Sequence, residues 1–121
     1  VARTELTVQA TSRDGLNVTN AYQAVAAADD AAVVNDGATK IVISNASGST
    51  VNIVFETPVT VLSEALAIAD KTATLATAKV GIFGPFPAAY YNNPSGADAG
   101  KLYIDVDQAV SMVAFRDGSA T

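Results

Sequence analysis

"TKIVISNASGSTVNIVFETP", residues 39–58, places two β-branched runs on either side of a small polar loop, and its reading decides the fold. In the second run Val51, Ile53 and Phe55 fall on one side and Asn52, Val54 and Glu56 on the other. That period of two sends successive side chains to opposite faces of a strand. Ile41 and Ile43 make the matching apolar side of the first run, opposite Lys40, Val42 and Ser44. With Gly48 near the centre of the loop, the stretch reads as a β-hairpin with one face suited to a core. Asp36-Gly37 just before it is a turn signal.

The same period extends outward in both directions. "TELTVQAT" alternates Leu6 and Val8 with Glu5, Thr7 and Gln9, and Asp14-Gly15 then turns the chain. "KTATLATAKVGIF" is rich in threonine, and "GKLYIDVD" and "AVSMVAFRD" read as two closing strands, with Leu102, Ile104 and Val106 sharing one face. Two alanine-rich stretches, within residues 20–34 and 61–70, are open between a short helix and a loop. Asn20 is a candidate N-cap in the first, and Ser63-Glu64 opens the second. Helices of that length are marginal without tertiary support. The expectation is an all-β chain: a compact antiparallel β-sandwich or barrel-like domain of about seven short strands, with at most one or two short helical turns. Residues 1–121 read as a single domain, in which 1–11 form an extended N-terminal arm or strand and 117–121 a loose tail.

Composition narrows the function classes. Seven basic residues against twelve acidic ones leave a net charge of −5. That balance opposes the phosphate neutralisation on which nucleic-acid binding depends, and the basic residues never form a run. Nucleic acid is therefore not an expected partner. No apolar stretch approaches the ~20 residues of a membrane span, so no membrane association is expected either. No basic segment followed by an apolar stretch opens the sequence, and no signal peptide is expected in it.

The chain contains neither histidine nor cysteine, which removes Ser-His-Asp and Cys-His catalysis, histidine-bound zinc and thiolate metal sites. Carboxylate pairs of the glycosidase kind stay available by inventory. "GADAGK", residues 96–101, fails as a phosphate loop: it has one residue too few between its glycines, and Leu102 stands where a magnesium-binding hydroxyl belongs. Asp105 with Asp107, or Asp29 with Asp30, offer oxygen ligands but no EF-hand spacing, and they read as strand and turn residues. Asn17-Val18-Thr19 and Asn45-Ala46-Ser47 fit the N-glycosylation pattern as coincidences of an Asn- and Ser-rich chain. No enzyme activity, cofactor or metal is expected.

"GIFGPFPAAYYNN", residues 81–93, is an uncharged aromatic bend. Pro85 and Pro87 cannot donate ladder hydrogen bonds, so a strand ending near Phe83 turns or runs along an edge here. Phe83 and Phe86 read as packing in a corner of the core. Tyr90 and Tyr91, if extended, point to opposite sides, which leaves one as amphipathic surface of the type enriched at protein contacts.

The order "ARTELTVQATSRDGL", "NDGATKIVISNASGSTVNIVFETP", "IADKTATLATAKVGIFGPFPAAYYNN" and "GKLYIDVD" resembles small structural proteins encoded beside the major capsid protein of tailed bacteriophages. The likeness runs over residues 2 to 115 and transfers no catalytic residue. It implies a non-enzymatic capsid decoration or cement protein on a β-sandwich, located on the virion exterior. Its partner would be the major capsid protein, and a homo-oligomer, with a trimer favoured, is expected. On this reading the contacts come from the N-terminal arm, through Arg3 and Leu6, and from the aromatic corner, through Phe86, Tyr90 and Tyr91. Two other readings share the inventory. One is a head–tail joining or tail protein, and the other is a carbohydrate- or cell-surface-binding module with the tyrosine pair as its sugar platform.

Overall fold

The computed structural model describes residues 3–12, 14–27, 29–58, 60–61, 66–67, 70–94 and 96–116. Among them run β1 (Thr4–Leu6), β2 (Val8–Ala10), α1 (Val18–Ala21), β3 (Gln23–Val25), β4 (Ala31–Val34), β5 (Lys40–Asn45) and β6 (Val51–Phe55). They continue as β7 (Thr60–Val61), β8 (Leu66–Ala67), β9 (Lys71–Leu75), β10 (Lys79–Phe83), α2 (Ala88–Tyr91), β11 (Lys101–Val106) and β12 (Val110–Arg116). One five-stranded sheet has the order β1-β4-β11-β6-β9, and the other has β10-β5-β12-β2 with β3 also beside β12. The fold is an all-β sandwich, with β7 and β8 forming a small separate hairpin.

The two long runs of residues 39–58 are not a hairpin. β5 pairs with β10 and β12, whereas β6 pairs with β11 and β9, so the arms lie in opposite sheets and face each other across the core. Both arrangements have the same alternation, since Ile41, Ile43, Val51, Ile53 and Phe55 point inward either way, and all five are buried. The corner between the arms selects the arch. Asn45, 1% exposed, donates through Nδ2 to the carbonyls of Ser49 (2.8 Å) and Leu75 (2.9 Å). Its Oδ1 accepts from the amide and hydroxyl of Ser47. The backbone carbonyl of Asn45 accepts from the Ala78 amide at 2.7 Å, so one residue ties the β5–β6 corner to the β9–β10 corner. Buried in this way, the second glycosylation pattern is a structural corner. The β11–β12 connection also changes sheets. Asp107 fastens it by accepting from the Asn52 amide and side chain.

Three further expectations change. The sheets are mixed and not purely antiparallel, because β1 runs parallel to β4 and β2 parallel to β12. These partners are far apart in sequence, so no tight turn imposes an antiparallel sense. Strands are also more numerous than seven, since three-residue pieces such as β1, β2 and β3 are too short to display a period. Half of the described residues in the alanine-rich run at 20–34 are strand, in β3 and β4. Ala31, Ala32 and Val33 are buried in β4 between β1 and β11, and this packing outweighs the helical preference of alanine. The helical turn at the start of this run, α1, begins at Val18, so Asn20 lies inside it and is not its cap. Within 61–70 the described residues include β8, while Ser63 and Glu64 lie outside them, as does the tail at 117–121.

The aromatic bend closes one end of the core. Phe55 packs against Phe83 (centroids 5.6 Å apart) and Phe86 (4.6 Å), and Phe86 meets Tyr91 edge-on at 5.3 Å. Asn35 anchors the bend, donating to the carbonyl of Phe86 (3.0 Å) and to Asn92 Oδ1 (2.7 Å). Gly84 has φ 112°, and a Cβ there would sit 3.0 Å from the Phe86 ring and 3.1 Å from the Thr39 carbonyl oxygen.

Two substitutions test these corners by urea unfolding. Asn45→Ala leaves the Ser49 and Leu75 carbonyls without the donor they share, and is expected to cost about 3 kcal/mol. Asn45→Asp is expected to cost more, since it turns an acceptor toward two carbonyl oxygens. Gly84→Ala meets both an unfavourable φ and backbone contact, with an expected loss of about 2 kcal/mol. A loss below half a kilocalorie at Asn45 would show that the corner forms without its side chain.

Candidate functional site

The N-terminal segment arrives at the outer face of the first sheet and is fastened there by Arg3. Its guanidinium donates to Asp105 (2.6 Å), Glu56 (2.8 Å) and the Ala31 carbonyl (3.2 Å), and lies 4.0 Å from the centre of the Tyr103 ring. Glu56 follows β6, and Tyr103 and Asp105 share the outward face of β11, so three separate stretches of chain converge on one cation. The network continues along the sheet. Tyr103 donates its hydroxyl to Asp98, and Lys101 donates to Glu5 (2.6 Å) and Asp98 (3.3 Å).

Two acids beside one another cannot both ionise freely. A hydrogen bond with Asp105, partial burial and the Asp105 charge push Glu56 up to about 7, against the opposing pull of Arg3. Burial alone would lower the Arg3 guanidinium, but its bond to Asp105 and the charges of Asp105 and Glu56 outweigh this and raise it. The Tyr103 hydroxyl holds Asp98 below the usual carboxylate range, and the backbone and side chain of Asn52 do the same for Asp107. Chemically the Glu56–Asp105 pair can hold a proton near neutral pH. Arg3 occupies both members, however, and they lie on the outer face of a sheet.

The five contact residues expected from the sequence do not form one surface. Leu6 and Phe86, each 4% exposed, are core residues and cannot present their side chains to another chain without leaving it. Arg3 is engaged as described. Tyr90 and Tyr91 lie on the helical turn α2 and not on an extended chain. Tyr90 is 46% exposed, while Tyr91 packs against Phe86. The expected division into one ring out and one ring in is present, produced by a helix. Three of the four acids considered as cation ligands are used internally: Asp105 by Arg3, Asp107 by Asn52, and Asp30 by the Val106 amide at 2.9 Å.

A different surface stands out. Val80 and Ile82 on β10 are 59% and 66% exposed and lie on the outward face of the second sheet, opposite Ser44 and Val42 of β5. β10 is the last strand of that sheet, and the strand beyond it is missing among the described residues. Beside Ile82 runs an open groove of about 330 Å³ whose apolar lining includes Leu16, Val18, Val42 and Phe115. The signal was present in "KVGIF", where Val80 and Ile82 alternate with Lys79, Gly81 and Phe83 ahead of a proline. Alternation alone does not say which face meets the core.

The carboxylate pair makes a signed prediction. Because Glu56 is raised when folded, its contribution to stability is complete below its unfolded value of about 4.5 and is lost as pH rises through about 7. Arg3→Ala removes the attraction that restrains this rise, so it is expected to destabilise more at pH 8 than at pH 5. Asp105→Asn returns Glu56 toward its ordinary value and flattens the dependence between pH 5 and 8. Thermal unfolding across that window, with carboxyl carbon shifts of Glu56, reads both effects, and equal losses for Arg3→Ala at the two pH values would contradict the coupling.

Comparison of this chain with known protein families, with curated proteins and with solved structures finds no match in any of the three.

Proposed function

We propose that the protein is a non-enzymatic structural component of a phage particle, binding the capsid exterior in many copies as a decoration or cement protein. The observation that carries this reading is the pair of exposed apolar residues, Val80 and Ile82, on a free sheet edge. Apolar surface on an unpaired strand is an aggregation hazard unless another molecule covers it. The sequence resemblance supplies the class of that molecule, a capsid subunit.

The internal use of the acids supports the same reading. Glu56 and Asp105, a pair of neighbouring acids, are both bonded to Arg3 and hold the N-terminal segment in place. A sugar platform would need Tyr90 and Tyr91 side by side in solvent, whereas Tyr91 is spent on Phe86. Copies gathered around a three-fold position would form a trimer, with interfaces of about 800 Å² per partner. A protein that binds only the assembled shell stabilises it by mass action.

Purified protein mixed with undecorated capsids is expected to co-sediment saturably at a fixed number of copies per shell, and to raise the temperature at which the shell comes apart. Absence of binding at micromolar concentration, with intact capsids and folded protein, would reject the reading.

A further inference from the structure

We infer that β10 is a strand-addition site, and that its occupant is an extended segment of another protein in which apolar and acidic side chains alternate. The inference rests on the decoration reading for the identity of that protein, the capsid subunit, and on the geometry of the edge for the mode and chemistry of binding.

Three observations converge on β10. First, it is a regular five-residue strand with β5 on one side only, so backbone groups on its other side are available to a further strand. Second, its outward side chains are Val80 and Ile82, two residues apart on one face, with the apolar groove beside Ile82. An added strand projects alternate side chains to the same face, where one can enter that groove and the next can cover Val80.

Third, the surrounding charge selects the partner. Arg3, Lys101 and Arg116 are ion-paired, but Lys40, Lys71 and Lys79 form no ion pair among the described residues. All three lie on this side of the sandwich. Lys79 opens β10, and Lys71 opens β9, the neighbouring edge of the other sheet. Lys40 lies at the far end of β10, where its Cα is 3.3 Å from the position a Cβ on Gly84 would take. In a chain of charge −5, three lysines without an ion pair among the described residues stand along this edge, Lys79 on the strand face opposite to Val80 and Ile82, with Asp70 the acid next to Lys71. Edge lysines also discourage unwanted pairing. Here, however, the outward-facing residues of the strand itself are valine and isoleucine, which leave the edge adhesive to a partner bearing acids.

Two probes test this, a peptide of alternating valine and glutamate and the undecorated capsid. The peptide is expected to shift and protect the amides of β10 in nuclear magnetic resonance and hydrogen-exchange measurements. Its valine–lysine counterpart should bind at least tenfold more weakly. In co-sedimentation, Val80→Lys and Ile82→Lys, both exposed and expected to keep the wild-type melting temperature, should each weaken capsid binding at least tenfold. If the wild type binds capsids and these folded variants bind equally well, the strand-addition site is wrong while the decoration reading stands. If the wild type ignores capsids but the acidic peptide protects β10, the site stands and the decoration reading falls. No response to the peptide at millimolar concentration overturns the assigned chemistry. Self-association of the free protein that Ile82→Lys abolishes would make a second copy the occupant and overturn the choice of partner.

Discussion

The buried amide of Asn45 is the constraint on which the sandwich depends. A β-sandwich made from arches has a problem that hairpins do not have: at each corner the chain leaves one sheet for the other, and its backbone groups lose their ladder partners inside the protein. Asn45 supplies both kinds of group at once, donating to two carbonyls and accepting from Ser47, while its own carbonyl receives the Ala78 amide. Buried polar atoms are stable only when satisfied, so this corner is tightly specified. Because the β5–β6 and β9–β10 corners share it, the two arches are fixed relative to one another, and with them the edge on which β10 is displayed.

How much of this could be read from the sequence follows from what alternation encodes. A period of two says that a strand has an inner and an outer face, and the core residues Ile41, Ile43, Val51, Ile53, Phe55, Leu102 and Ile104 were legible for that reason. The period does not say which sheet a strand joins, so residues 39–58 read equally well as a hairpin. Asn45 in that loop was the clue, but an Asn-Ala-Ser tripeptide looks like any polar turn until its burial is known. The alanines of β4 are ambiguous for the complementary reason: their helical preference is local, whereas the pairing with β1 and β11 that makes them a strand is not. Of the contact candidates, Leu6 and Phe86 went to the core, because an apolar residue in an arm or a bend carries the same letter whether it meets its own chain or another. Val80 and Ile82 carry no outward signal in the sequence, since β-branched residues suit an inner or an outer strand face alike.

Electrostatics divides the molecule in two. On the outer face of the first sheet, opposite charges are matched: Arg3 with Glu56 and Asp105, and Lys101 with Glu5 and Asp98. Exposed pairs of this kind contribute little stability singly. Their value here is positional, because they hold β1 and the start of the chain onto a sheet that the N-terminal segment joins through only three residues. The cost is the crowding of Glu56 against Asp105, which makes this face sensitive to pH near neutrality while the acids held below their usual range respond only in acid.

The connection pattern explains why the two sides of the sandwich differ. On one side β1 and β2, separated by Thr7 alone, put one short strand on the end of each sheet, and their three-residue lengths leave little edge to pair with. On the other side, the β9–β10 arch likewise gives one strand to each sheet, but these strands have five residues each, and β10 ends in a proline-rich bend that no ladder can cross. Among the described residues β10 is the one of the four sheet ends that carries large exposed apolar side chains, so stacking that matches two such edges stops at a pair of molecules. The same asymmetry that protects the molecule in solution therefore gives it one direction in which to engage a partner, and many copies can attach to a common surface without attaching to each other end to end.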